Sequence, residues 1–433
     1  MRTQSHTVNS PKNHSLSMIQ NIVLDKEGFH DNRGFRGSLE ASKELKIDKK
    51  INIYDMLVVQ RKHAILRSMK YCGYRLLPDV NRATYAVDMN SGRKRLTGTQ
   101  RCDNQLCPKC SKMKGREKAN TLAVVASDAL SKGKGVFALT QTIPHAGMTP
   151  TAQVRILKAS DTIFWRRLKS YFLSKGMGKI RFGKSYDETI RPDFSVHIHK
   201  HSQIILDGHM DITDEVHDDV FQIWQSAVSS VTKGKCIPLK HGFFMEPVYD
   251  ASLDGKYSSY VFKFNAQKAS METMSSRTKS SNKGWTLVQL MDLIYRTGSE
   301  IALRTYRQIL RAYQGTQYHN LSKGMKDLAL EIEAANALDR NDEADAQEPE
   351  EDWIEIRFIK EAHYAIGLLG LQSAVFRVLS GSRELHRKEA ICLDKLRSLN
   401  EWAEKEEDYT LERAICDFGA LLWDYRSAKF KDK

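Results

Sequence analysis

The chain of 433 residues contains no apolar run approaching the roughly 18–20 residues that a spanning helix needs, so no membrane span is expected. Its opening residues, MRTQSHTVNSPKNHSLSMIQ, lack the apolar core of a secretory leader. Cysteine is sparse and odd in number, 7 in all, which argues against a disulfide framework and for a reducing, cytoplasmic setting. No GxxxxGK[ST] stretch occurs, so a P-loop motor is excluded, and no internal repeat is found. Positive charge is what the chain has in excess. Lys and Arg number 67 against 53 Asp and Glu, a net charge of +14, which points to a polyanionic partner, most often nucleic acid. A hydrophobic share of 41% with 28% charged residues is a globular composition, and the length implies two or three domains.

Residues 1–50 are polar without a sustained period and read as a mobile arm. Residues 51–118 combine a helical pattern over Ile51–Leu77 with a basic, cysteine-bearing stretch; between Arg93 and Lys118 nine Lys or Arg face two acids. Over 119–270 strand and helix patterns alternate: the β-rich run 135–143, helical spacing over Thr151–Ser174, the strands KIRFGKSYDETI and SVHIHKHSQIIL, a helix ITDEVHDDVFQIWQSAV with an acidic first turn, the short strand GFFMEPVY, and a helix from Tyr257 to Ser270. Residues 271–338 read as a helical extension. Residues 339–352, with eight acids and one Arg, read as a solvated linker, and 353–433 as a separate helical module.

Three constellations carry chemistry. In His197-Ile-His199-Lys-His201, alternate residues of a strand share a face, so imidazoles stand about 7 Å apart and two can share one metal ion. The bland alternative is an exposed His-rich edge strand. Cys102, Cys107 and Cys110 form a C-x4-C-x2-C knuckle suited to zinc, with Cys72 or His63 as the fourth ligand. Beside it Lys109, Lys112, Lys114 and Arg116 are candidates for a DNA phosphate-contacting surface, or else a solvated helix face. Cys236, Cys392 and Cys416 read as inert core thiols. Finally, Tyr257, Tyr260 and Lys263 fall on one helix face, where a cation eases ionisation of a phenol that can act as nucleophile. Such tyrosines are otherwise usually core residues.

FALTQTIPH, HIHKHSQIILD and YVFK, in that order behind CxxxxCPxC, resemble the replication initiators of rolling-circle plasmids in the HUH endonuclease superfamily. The resemblance spans about residues 100–330. It implies an α+β fold with a central antiparallel sheet, helices packed on one side and a helical C-terminal extension. It implies Mn2+ or Mg2+ held by His199 and His201, with His197 or Glu246 as third ligand. Tyr260 would be the nucleophile, with Lys263 beside it and Tyr257 as the alternative. The implied activity is nicking of a plasmid origin, leaving a 5′-phosphotyrosine and a free 3′-OH that host polymerase extends while a host helicase unwinds. Two residues depart from the family pattern: Lys200 stands between the histidines where an apolar residue is usual, and Lys256 stands where some relatives carry Glu. Asp250 and Asp254 are then the candidate water-activating bases for termination. The rival classes are an HUH transposase or relaxase, a zinc-containing DNA-binding regulator without catalysis, and a metal-dependent hydrolase.

Overall fold

The computed structural model describes residues 53–249, 270, 284–339, 352–382 and 388–431. These hold eight strands: β1 (Arg82–Asp88), β2 (Lys94–Thr97), β3 (Val136–Gln141), β4 (Ile180–Ile190), β5 (Val196–Leu206), β6 (Phe243–Pro247), β7 (His319–Leu321) and β8 (Trp353–Ile359). The helices are α1 (Ile53–His63), α2 (Arg67–Lys70), α3 (Pro108–Ser131), α4 (Pro150–Ser174), α5 (Asp214–Thr232), α6 (Leu287–Thr297), α7 (Glu300–Ala312), α8 (Met325–Asp339), α9 (Lys360–Leu368), α10 (Gln372–Gly381), α11 (Lys388–Lys405) and α12 (Leu411–Lys431). The protein is α+β with two antiparallel sheets. It divides into two units, one containing Gly115–Leu287 and Arg304–Leu338, the other Ile47–Lys114, Val288–Leu303 and Asp339–Lys433.

The first unit is built on a five-stranded sheet in the order β6-β3-β5-β4-β7. Its central strand β5 alternates as the sequence requires: Val196, Ile198, Lys200 and Ser202 are buried, while His197, His199 and His201 are half-buried on the other face. The buried face packs on α4 and α5, where Phe164 meets Trp224 edge-on at 5.7 Å and Trp165 stacks on Phe182 at 4.0 Å. Thr149 and Thr213 cap these helices by accepting from the Ala152 and Val216 amides. Toward the other end of the strand the histidine face is covered by helices. There Ala119, Leu122, Val125, Ala126 and Ala129 of α3 and Met325, Ala329 and Ile332 of α8 pack on Val136 and Ile205. Helices thus lie on both faces, not one. The run Ile204-Ile205-Leu206 is apolar on both sides and needs cover on both. The segment 271–338 is also not wholly helical, because β7 adds to the edge of β4.

The second unit has a three-stranded sheet, β2-β1-β8. Residues 353–433 are therefore not a separate helical module: Trp353–Ile359 pairs along the whole of β1. Ile354, Ile356 and Phe358 alternate with Glu355 and Arg357, a period of two that fits a strand. The helix expected over Ile51–Leu77 is broken after His63, because Leu66 is extended (φ −82, ψ 128) before α2 restarts. The core is aromatic: Tyr54 lies 4.2 Å from Phe376, and Tyr85 lies 5.4 Å from Phe358 and 5.2 Å from Phe376.

His363 closes this core as a neutral imidazole. Its Nε2 donates to the Tyr74 carbonyl at 2.9 Å, leaving Nδ1 to accept from the Tyr85 hydroxyl at 2.9 Å. Burial lowers its pKa to about 4. The unfolded chain takes up that proton near the ordinary value of about 6.5, so stability is held above that pH and lost as pH falls toward 4. Urea unfolding at pH 5 should show about 2 kcal/mol less stability from this group than at pH 7.5. His363→Gln should flatten that part of the pH profile, and an unchanged profile would refute the assignment.

Candidate metal centres

The first centre follows from strand register. The β4–β5 hairpin turns at Arg191–Ser195, where the Asp193 carboxylate accepts from the Ser195 amide at 2.9 Å and hydroxyl at 2.7 Å. Counting back from Ile190↔Val196 places Asp187 opposite His199 and Ser185 opposite His201. Directly opposed residues share a face and lie close, so the carboxylate meets the imidazoles. One ligand atom from each of Asp187, His199 and His201 lies within 4.8 Å of the others. The Asp187 Oδ2 is 3.3 Å from His199 Nε2 and 3.8 Å from His201 Nε2. Ligands of one ion at about 2.1 Å are separated by roughly 3.0–3.4 Å, so two imidazoles and a carboxylate fit a divalent cation with positions left open.

The surroundings reinforce the fit. Thr140 Oγ1 on β3 is 3.1 Å from His201 Nδ1 and orients that ring. Among the described residues, His199 Nδ1 is buried without a hydrogen-bond partner. Burial alone would raise the Asp187 pKa, but hydrogen bonds and charge from His199 and His201 hold it well below the usual carboxylate range. The site is thus supplied with a carboxylate rather than an acid. β3 ends opposite Lys200, so the histidine-bearing start of β5 extends beyond it. Gln153 of α4 replaces the missing strand there, donating to the Val196 carbonyl at 2.7 Å and accepting from the Ile198 amide at 2.9 Å.

The third member of the group is Asp187, not His197 or Glu246. His197 stacks on His145 at 4.2 Å. Burial, then the charges of His145, His199 and Arg191, lowers its pKa to about 3, so it forms a neutral wall. Glu246 on β6 is level with Ala138 and hence with Gln203, with β3 between it and β5. Asp187 lies inside KIRFGKSYDETI, and the signal for it was the equal reach of the two strands about the RPDFS turn. Lys200, the departure from the family pattern, is fully buried on the opposite face in an ion pair with Asp161. Tyr257, Tyr260, Lys263, Lys256, Asp250 and Asp254 lie outside the described residues.

The second centre is the cysteine cluster. Sγ atoms of Cys72, Cys102, Cys107 and Cys110 all lie within 4.8 Å of one another. Cys72 is 3.4 Å from Cys110 and 3.5 Å from Cys107, and Cys102 is 3.7 Å from Cys110. Four sulfurs about 2.3 Å from one tetrahedral ion stand roughly 3.8 Å apart, so the donor set fits such an ion. The fourth member is Cys72, not His63. Cys107 and Cys110 flank the start of α3, whose free amides and dipole favour thiolates. Hydrogen bonds from Cys102, Cys107 and Cys72 hold the Cys110 thiol far below its usual range, while burial pushes Cys107 well up.

The expected basic surface is only partly present. Lys109 is half-buried beside the thiols, and burial lowers its pKa against the pull of Cys72, Cys110 and Cys107. Lys112 is half-buried and Lys114 pairs with Asp103 at 3.7 Å, while Arg116 is exposed. Cys236 and Cys392 are buried thiols, but Cys416 is exposed rather than a core residue.

No family model, curated protein or solved structure matches this chain. Among the described residues, no single helix is long and apolar enough to cross a membrane.

Proposed function

We propose that the chain is a rolling-circle replication initiator of the HUH kind, a single-strand DNA endonuclease and strand transferase acting on a plasmid origin in the cytoplasm. The observation that carries this is the trio Asp187, His199 and His201 on adjacent strands of an antiparallel sheet. A bound Mn2+ or Mg2+ supplies Lewis acidity at the scissile phosphate. Asp187 and His199 hold the cation position, and Thr140 keeps His201 turned toward it. Tyr260 is the nucleophile: its phenolic oxygen bonds to phosphorus, the bond from phosphorus to the 3′ oxygen breaks, and the phenol proton passes through solvent to the departing 3′ hydroxyl. Lys263 favours the phenolate. Bond energy is kept in the phosphotyrosine, so rejoining needs no nucleotide. Unwinding and extension fall to a host helicase and polymerase, since the chain has no P-loop motif. The four cysteines hold structural Zn2+.

The test is a denaturing gel of protein incubated with Mn2+ and labelled single-stranded origin DNA. Wild type should give a covalent adduct that Tyr260→Phe abolishes and Asp187→Ala reduces by at least about a hundredfold. Loss only in Tyr257→Phe would move the nucleophile one turn. Cleavage without an adduct would mean that water attacks. DNA binding without cleavage would leave the second reading that the cysteine cluster favours, a zinc-containing DNA-binding regulator.

A further inference from the structure

A cleft of about 280 Å3 lies in the second unit, and one of its walls is Cys72 of the cysteine cluster. Its other walls carry Arg67, Arg75 and Arg101, with Ser68, Gln100 and the ring of Tyr71. The local chain explains the convergence. Arg67 opens the short helix α2 and Tyr71 closes it one turn later. The chain then reverses at Gly73, held at φ +68, where an added Cβ would come within 3.3 Å of Leu57. Arg75 and Gln100 are clamped together by a hydrogen bond from the Gln100 amide to the Arg75 carbonyl at 2.7 Å, which brings Arg101 alongside. The Arg75 guanidinium lies 4.2 Å from the Tyr71 ring centre, and that of Arg67 lies 5.9 Å from it.

Three features define what this cleft suits. Among the described residues no carboxylate lines it and none of the three arginines forms an ion pair. Three guanidiniums in one concavity carry a formal charge of +3, and the arginine fork matches the oxygens of a phosphate. Tyr71 is half-buried beside them and carries the Arg75 guanidinium over its ring, and a base can stack on such a ring or on a guanidinium plane whatever its sequence. The volume is near the lower end of small-molecule sites, about 300 Å3, which suits one unpaired nucleotide and is too small for a duplex groove element.

We propose that this cleft binds one nucleotide unit of an unpaired nucleic-acid strand, with the phosphate among Arg67, Arg75 and Arg101 and the base on Tyr71. The inference deepens the reading of the chain as a DNA-nicking enzyme, since it names a second contact for unpaired DNA, in the unit without the histidines. It uses none of the residues of the Asp187, His199 and His201 group, so the two can be tested apart.

The experiment measures fluorescence anisotropy of a labelled oligothymidylate on the full chain, with no added Mn2+, across a range of salt. The Arg75→Ala, Arg101→Ala double variant should bind at least about tenfold more weakly and show a salt slope reduced by about 1.4. Tyr71→Ala should lose roughly fivefold or more, while Tyr71→Phe keeps its affinity. Thymidine monophosphate competes in a second arm. Competition only at concentrations far above the oligonucleotide's places the ligand in a strand, and equal competition makes a free nucleotide the occupant of the same site. Unchanged oligonucleotide affinity in a folded, metal-replete double variant overturns the proposal. So does loss of metal from the cysteines in that variant, because the arginines would then serve to balance the thiolates. The adduct gel on the same variants separates the two readings. Adduct formation with unaltered binding removes the cleft and keeps the nicking enzyme, whereas binding that depends on Arg75 and Arg101 without any adduct keeps the cleft alone.

Discussion

Cys110→Ser should release one equivalent of tightly bound metal and unfold the unit that holds β1, β2 and β8. The four sulfurs come from three separate segments: Cys72 just after α2, Cys102 after β2, and Cys107 with Cys110 at the start of α3. An ion between them ties those segments together, and binding free energy at such a site is folding free energy. Structural zinc in small domains supplies about 10–16 kcal/mol of apparent binding, comparable with the whole net stability of a domain at about 5–15 kcal/mol. Removing one ligand should therefore cost far more than the roughly 1 kcal/mol of an average substitution. Metal analysis and far-UV circular dichroism on heating would read both effects. Cys416→Ser, at an exposed thiol, is the control that should change neither. Equal metal content and an equal melting curve for Cys110→Ser would sink the site.

Local pattern carried much of this fold. The strand expected at 195–206 is Val196–Leu206, that at 135–143 is Val136–Gln141, and the helix expected over Thr151–Ser174 is Pro150–Ser174. Each has a period that its own side chains enforce. The cysteine cluster was legible for a similar reason, since the Cys107–Cys110 knuckle demands four ligands and Cys72 was one of two candidates. Contacts between distant segments were not legible. β8 pairs with β1 across more than half of the chain, and nothing in WIEIRFI names its partner. Asp187 needed the register of a hairpin, because a slip of one residue would put it on the opposite face. Lys200 defied the plain rule that a charge in a strand marks solvent, since its partner Asp161 lies on a helix 39 residues earlier.

That buried pair has a consequence for the metal site. Asp161 on α4 accepts from Lys200, from Lys184 and from Trp165 Nε1, the last at 2.8 Å. Lys200 is enclosed by aromatic rings, with Phe164 at 5.2 Å, Trp165 at 5.4 Å and Trp224 at 5.5 Å from its ammonium. Burial lowers its pKa to about 8, while Asp161 pulls it back up. Burial would raise the Asp161 pKa, but Lys200 and Lys184 outweigh it and keep the carboxyl ionised. Asp161→Ala should therefore cost about 3–5 kcal/mol at neutral pH, because it strands a cation in an apolar cage. Lys200→Met should cost much less, since Asp161 keeps Lys184 and an apolar chain of similar length fills the cage. The sign of the pH effect follows from a folded pKa of about 8 against an unfolded one near 10.4. The folded state sheds this proton first, so stability rises with pH across that window, and rises most in Asp161→Ala, where nothing holds the proton on. Urea unfolding at pH 7 and pH 10 would show that partial recovery. Equal losses in Asp161→Ala and Lys200→Met would mean that the cage matters for its volume and not its charge. Lys200 stands between His199 and His201 on the same strand, so stranding its charge disturbs the backbone that carries both imidazoles. Mn2+ affinity should fall in Asp161→Ala, although the residue lies on the opposite side of the sheet from the ligands.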